Sequence, residues 1–277
     1  MVSYTHLKNF STDKPMFPVK NPVFSPVFFR RRKLWRIFFE FLLVKSPLCR
    51  YITRYVFMDG IHNNRSNRIM IRILAGTSNK HKVQEFRSAF AAFEDRIALL
   101  ALDDLPPFSM PEEIGNTFEE NARIKADGVS AESSLLSFAD DSGLEVECLG
   151  NAPGIYSARY AGENATDADR IAKLLSEMKK SSSPNRKARF VCVMALSYRG
   201  KTVKVFRGEV SGVICEKPSG SHGFGYDPVF IPDGYEVSFG ELPAEVKDSI
   251  SHRAKALEKL SAFLKQQLSK EDFFDFV

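Results

Sequence analysis

The 277-residue chain has few of the residues that build a metal or disulfide framework. Its four cysteines, Cys49, Cys148, Cys192 and Cys215, lie far apart, with no CxxC pair and no His at ligand spacing. That excludes a zinc finger and a disulfide scaffold, and it suits reduced thiols in a cytoplasmic protein. Long apolar runs are missing too. Leu34 to Val44 is the longest and is broken by Arg36 and Glu40, against the roughly 20 apolar residues that a spanning helix needs, so no transmembrane segment is expected. The same run starts too far from the N-terminus to read as a secretory signal. With 44% hydrophobic and 26% charged side chains, disorder throughout is excluded, and the length suits one large or two small lobes.

Basic charge is also lacking where a nucleic-acid-binding domain would need it. The net charge of +5 arises from two unequal segments: residues 1–69 hold 13 Lys and Arg against 3 Asp and Glu, leaving 26 of the 39 cations against 31 of the 34 acids in residues 70–277. The main domain is therefore acidic, and no nucleic-acid partner is expected for it. Residues 1–69 form a basic, Phe- and Pro-containing extension without sustained period. Arg30 to Lys33 precede an aromatic-rich run in which three readings stay open: upstream sequence outside the functional protein, a targeting segment, or a membrane-surface helix. A protein that binds nucleic acid or membrane through this extension is the alternative from another class.

From Met70 the pattern becomes regular. Ile71 to Ala75 predicts a buried strand, and Val83, Phe86, Phe90 and Phe93 fall on one helical face, with Gln84, Glu85 and Ser88 off it. Thr117 followed by Glu120 has the spacing of a capping box and opens a helix over about 118–131; Thr166 with Asp169 opens another, carrying Ile171, Leu174, Leu175 and Met178. Leu135 to Ala139 predicts a strand ending in Asp140-Asp141-Ser142-Gly143, with a second strand over Leu144 to Leu149. Ala188 to Tyr198 and Thr202 to Cys215 read as a hairpin, and Ile250, Ala254, Leu257, Leu260 and Leu264 as a last helix. This order indicates an α/β fold with a mixed sheet and flanking helices.

Four segments are candidates for chemistry. Thr77, Ser78, Asn79, Lys80, His81 and Lys82 form a polar turn between a strand and a helix N-terminus, a place that favours anions, though the P-loop glycine–lysine spacing is absent. Glu112, Glu113, Asp140 and Asp141 are hard oxygen donors without Cys or His, the set that suits Mg²⁺ with phosphate and water in its remaining positions. Adjacent aspartates after a buried strand repel unless a cation relieves them. Phe224, Gly225, Tyr226 and Asp227 lie in a glycine-rich loop whose aromatics can stack a purine. Lys247, His252 and Arg253 can donate hydrogen bonds to phosphate or a carbonyl. Taken singly, each segment also reads as an ordinary loop or charged surface, least so for the adjacent aspartates.

Together the segments resemble the inosine triphosphate pyrophosphatases, also called non-canonical purine nucleoside triphosphate pyrophosphatases, from about Ile71 to Leu264. The resemblance rests on Thr77-x-Asn79-x-x-Lys82, Glu112-Glu113-x-Gly115-x-Thr117-Phe118-x-x-Asn121-Ala122, Ala139-Asp140-Asp141-Ser142-Gly143-Leu144, Ala152-Pro153-Gly154-Ile155-Tyr156-Ser157-Ala158-Arg159-Tyr160, Phe224-Gly225-Tyr226-Asp227-Pro228 and Ser249-Ile250-Ser251-His252-Arg253. Ser78 stands where the family usually has glycine, and residues 1–69 have no counterpart in the usual bacterial form.

The resemblance implies two lobes around a nucleotide-binding cleft, a homodimer, and Mg²⁺-dependent hydrolysis of ITP, dITP or XTP to the monophosphate and pyrophosphate. It implies Asp141 as general base and metal ligand, with one of Glu112 and Glu113 as a second ligand. Thr77, Asn79, Lys82 and Lys247 would hold the triphosphate end, Ser142 would contact substrate, and Phe224 to Asp227 with His252 and Arg253 would hold base and sugar. A nucleotide sensor without turnover is the remaining alternative, against which the intact Asp140 and Asp141 argue.

Overall fold

The computed structural model describes residues 70–93 and 96–269; expectations for residues 1–69 lie outside them. Strand β1 (Ile71–Ala75) leads through the polar turn into α1 (Lys80–Phe90), and after a 3-10 turn at Ala91–Phe93 the chain returns as β2 (Ile97–Ala101). Helix α2 (Phe118–Ser133) precedes β3 (Leu136–Val146), α3 (Asp167–Lys180) follows a 3-10 segment at Gly154–Arg159, and β4 (Lys187–Tyr198) and β5 (Lys201–Ile214) make the long hairpin. Short β6 (Phe230–Pro232) and α4 (Ala244–Ile250) lead to α5 (His252–Leu268).

The caps are where the sequence puts them. Thr117 accepts from Glu120 N–H at 3.1 Å, though the Glu120 carboxylate takes Asn116 N–H at 2.6 Å rather than the cap's own amide. Thr166 and Asp169 close a full capping box on α3. Arg199 and Gly200 turn the β4–β5 hairpin with φ of 50° and 76°, the positive values that a two-residue turn of matching twist requires. The last helix differs from expectation: Ile250 ends α4 rather than entering α5, because Ser251 breaks the run and caps α5 by accepting from Ala254 N–H at 3.1 Å.

The six strands lie in the order β2-β1-β3-β4-β5-β6. β1 pairs in parallel with β2 and β3, and the remaining pairings are antiparallel. Contrary to expectation, β3 does not stop at the aspartates. Its ladder with β4 runs unbroken from Ser137 to Val146, and pairing of each residue with β4 overrides the low strand propensity of Asp-Asp-Ser-Gly. Parallel pairing with β1 ends at Phe138, so Asp140 and Asp141 still lie just beyond the carboxyl end of the parallel part of the sheet, where open α/β sheets place ligands.

Two lobes share the long β3–β4–β5 ribbon. One is filled by Phe86, Phe90, Phe138, Met194, Leu196, Leu257 and Leu260 between the sheet and helices α1 and α5, with α2 covering the other face through Phe118, Ala122 and Ala126. The second is filled by Leu144, Val146, Leu174, Phe190, Ile214, Phe230 and Phe239. The Asp140–Gly143 segment lies between these cores. Among the described residues, no helix is long and apolar enough to cross a membrane.

Candidate active site

Successive side chains of a strand point to opposite faces, so Asp140 and Asp141 pair directly with different cations, although Lys82 and Lys125 act on the charge of both. Asp140 faces α1 and α5. Lys82 Nζ lies 2.9 Å from Oδ2 and 3.0 Å from Oδ1, Ser142 Oγ donates to Oδ2 at 2.5 Å, and Arg253 Nε stands 3.5 Å away. Burial pushes the Asp140 carboxyl up, but Lys82, Arg253 and Lys125 outweigh it and hold it well below the carboxylate range. Asp140 is thereby a fixed charge that orders cations.

Asp141 faces α2. Asn121 Nδ2 donates to its Oδ2 at 3.2 Å, and Lys125 Nζ lies 3.4 Å from Oδ1 and 2.9 Å from Glu113 Oε1. Asn121 and Lys125 are four residues apart and project from one helical face. Asn121 Oδ1 also accepts from Gly115 N–H at 2.8 Å, which ties the Glu113 segment to the same helix. Burial raises the Asp141 carboxyl above its ordinary value, Lys125 opposes that, and Glu113 adds to it. A carboxylate of raised basicity beside a cation and a second carboxylate can take a proton from water while staying ionised long enough to do so.

Glu113 rather than Glu112 meets Asp141, since Glu112 is exposed. Two oxygen donors bridged by one ammonium fit Mg²⁺, which takes one or two carboxylates and leaves its other positions to phosphate and water. Among the described residues there is no cluster of three or more His, Cys, Asp or Glu placed to hold a metal.

In the polar turn, Asn79 is the N-cap of α1: its Oδ1 accepts from His81 N–H at 3.0 Å and Lys82 N–H at 3.3 Å, while Thr77 Oγ1 accepts from Asn79 N–H at 3.2 Å. Two of the amides expected to face an anion are therefore already held. What the turn presents is the Lys82 ammonium; Ser78 and Lys80 are exposed and stand outside the charge network among the described residues. His81 stacks on Phe224, ring centroids 5.3 Å apart.

Phe224 also lies under Lys247 Nζ, 4.5 Å from its centroid, with Arg253 at 5.7 Å. Asp227 accepts from Phe224 N–H at 2.8 Å and from Lys247 Nζ at 2.5 Å, and burial raises its carboxyl against the pull of Lys247. Tyr226 departs from expectation. Its ring is in the second core and its hydroxyl donates to Ser157 O at 3.0 Å, because a buried phenol takes the nearest carbonyl acceptor. It anchors the loop instead of facing the cleft. His252 is buried and stacked on Phe190 at 4.8 Å, and its Nδ1 has no partner.

Three residues of these networks, Asn121, Lys125 and Glu85, escaped the sequence reading as site residues. Lys125 lies one turn after Asn121 beside an apolar stripe, a polar pair on an inward helical face, which is a usable signal. Glu85, read as off-face, is 2.7 Å from Arg253 Nη1 and 4.0 Å from Lys247 Nζ; its partners come from α5 and α4, far away in sequence, so no local pattern marks it.

Asp141, Asn121, Lys125 and Glu113 on one side of the ribbon, with Lys82, Arg253 and Lys247 near an aromatic loop, make a site for a polyanion bearing an aromatic group. The Ham1 family model matches residues 73–263. The chain belongs to the Ham1 family. A dITP/XTP pyrophosphatase of Oceanobacillus iheyensis is 45% identical over 197 residues, covering 70% of this chain and 98% of that protein. That of Bacillus subtilis is 43% identical over 196 residues, covering 71% and 98%. Among solved structures, a HAM1 protein from Coxiella burnetii superposes with a TM-score of 0.65 at 38% identity, covering 71% of this chain and all of that one. The Staphylococcus aureus Ham1 protein gives 0.63 at 40%, covering 71% and 99%. This Ham1 chain thus carries the family's domain after its extension.

Proposed function

We propose that the protein hydrolyses ITP, dITP and XTP to the nucleoside monophosphate and pyrophosphate. The observation that carries this reading is the cluster of Asp141 on β3, Lys125 on α2 and Glu113 in the segment before α2, within a Ham1 domain. Lys82 and Lys247 bind and neutralise the triphosphate; Asp141 accepts the proton of the water attacking the α-phosphorus, held in place by Asn121; and Phe224 supports the base. Glu113 and Asp141 would hold Mg²⁺, which when bound neutralises charge on the phosphates and helps orient the water. Positioning and charge neutralisation are what phosphoryl transfer chiefly needs.

Preference over ATP fits the base end. A purine 6-oxo group accepts a hydrogen bond where adenine presents a donor, so a buried donor at that end is met by inosine or xanthine and left unmet by adenine, at about 1–3 kcal/mol. GTP shares the 6-oxo group, so its rejection falls to contacts with the 2-amino group. A homodimer belongs to the same reading: Tyr156, 55% exposed, lines a concavity of about 770 Å³ with Pro153 and Ile155, and Ile114 is 74% exposed. A cytoplasmic location agrees with free Cys148, Cys192 and Cys215. Pyrophosphate release from ITP, XTP, dITP, GTP and ATP, with and without Mg²⁺, tests the activity; comparable rates on ATP and ITP, or no release at all, would reject it. Sedimentation at equilibrium tests the dimer.

A further inference from the structure

Phe224 stands between Gly223 and Gly225, whose φ values of 75° and 66° lie in the left-handed region, so the loop that carries it has little intrinsic preference for one conformation. Two carboxylates remove that freedom. Asp227 takes the Phe224 N–H from within the loop. The other comes from elsewhere in the fold: Asp167 Oδ2, on the first residue of α3, accepts from Gly225 N–H at 2.7 Å. Its other oxygen pairs with Arg170, whose guanidinium also donates to Ala158 O at 3.0 Å and Ala165 O at 2.6 Å. His81, stacked on Phe224, lies close enough to Asp167 to act on its charge.

We propose that Asp167 is a positioning residue for base recognition: by holding Gly225 N–H it fixes the Phe224 ring where a purine stacks. The proposal rests on Phe224 as the base platform, the reading given above. A charge-assisted bond to a backbone amide is short and directional, and here it spans from α3 to the aromatic loop without touching the cations that meet phosphate. The consequence is selective. Loss of Asp167 weakens what stacks on Phe224 and spares what binds Lys82, which pairs with Asp140 on β3 rather than with the loop.

Calorimetric binding of the two products separates these ends of the site. Asp167→Ala is expected to weaken IMP about five- to tenfold, leave inorganic pyrophosphate within about twofold, and raise KM for ITP more than it lowers kcat. Asp167→Asn, whose amide oxygen still accepts from Gly225 N–H, should recover most of the IMP affinity. Asp169→Ala removes the capping box of the same helix without reaching the loop and should leave both products unaffected. Unchanged IMP affinity in Asp167→Ala, equal weakening of IMP and pyrophosphate, or the same IMP loss in Asp169→Ala would overturn the proposal. Phe224→Ala is the reference: if it leaves IMP binding intact, the base-platform reading itself fails, whereas loss in Phe224→Ala with none in Asp167→Ala condemns the latch alone.

Discussion

Asp141 and His252 show how burial sets the chemistry of single residues in this site. For Asp141, burial raises proton affinity and Lys125 restrains it; an amide at this position neither accepts the proton nor ligates a divalent cation well. Asp141→Asn should therefore lower kcat for ITP by about 10²-fold or more while the thermal melt stays near wild type; near-normal pyrophosphate release from the pure variant would remove Asp141 from its role. His252 makes a different statement. Its full burial, with Arg253 and Lys247 nearby, holds its pKa well below the ordinary histidine value. As pH falls below about 6.5 the unfolded chain binds a proton that the folded chain refuses, so stability declines by up to about 1.4 kcal/mol per pH unit. Melting curves at pH 7.5, 6.5 and 5.5 should show this decline, and His252→Asn should flatten it; parallel declines in the two proteins would assign the effect to other groups. The residue types of both positions were legible in the sequence, but their environments were not, because Lys125 and Phe190 are brought in by other elements.

At the scale of elements, the local signals that succeeded are those whose partners lie within one turn. Thr117 and Thr166 cap helices through amides three residues on, and β1 is a short buried run ended by Gly76. The failures have non-local causes. β2, an apolar run from Ile97 to Ala101, has neither alternation nor helical period and was not marked as a strand; parallel pairing with β1 makes it one. β3 continues through Asp140-Asp141-Ser142-Gly143 because β4 supplies a partner for each residue. The crossing of β5 beneath α5 is another such long-range demand. A Cβ at Gly208 would stand 2.1 Å from His252 O and 2.6 Å from Ala256 N, so the first turn of α5 rests directly on the strand backbone. Gly208→Ala should push α5 outward and carry His252 and Arg253 with it. Overpacking of this kind costs about 1–3 kcal/mol, so a lower Tm together with a raised KM for ITP is expected, and an unchanged melt would show that the contact yields without strain.

For the whole molecule, charge and family likeness divide near Met70. All of the excess basic charge precedes it, and the family model begins only at residue 73. Relatives named as dITP/XTP pyrophosphatases are covered over 98% of their own length by about 70% of this chain, so those proteins have no equivalent of residues 1–69. The described domain also holds its own cores and the ion-pair networks of Asp140 and Asp141 within residues 70–269. A protein beginning at Met70 is accordingly expected to keep both its Tm and its rate on ITP. The opposite outcome has a definite physical form: if Phe and Leu side chains of the extension pack on the domain, removing them exposes apolar surface at roughly 1.5–3 kcal/mol for each large side chain fully buried. Melting and ITP turnover of the two lengths, measured side by side, distinguish these cases, and aggregation or a fall of several degrees in the shorter form would reject dispensability. Vesicle and nucleic-acid binding by the two lengths across a salt series completes the test, because attraction through ten net positive charges weakens as salt rises and vanishes with residues 1–69, whereas binding retained by the Met70 form would place the contact on the acidic domain.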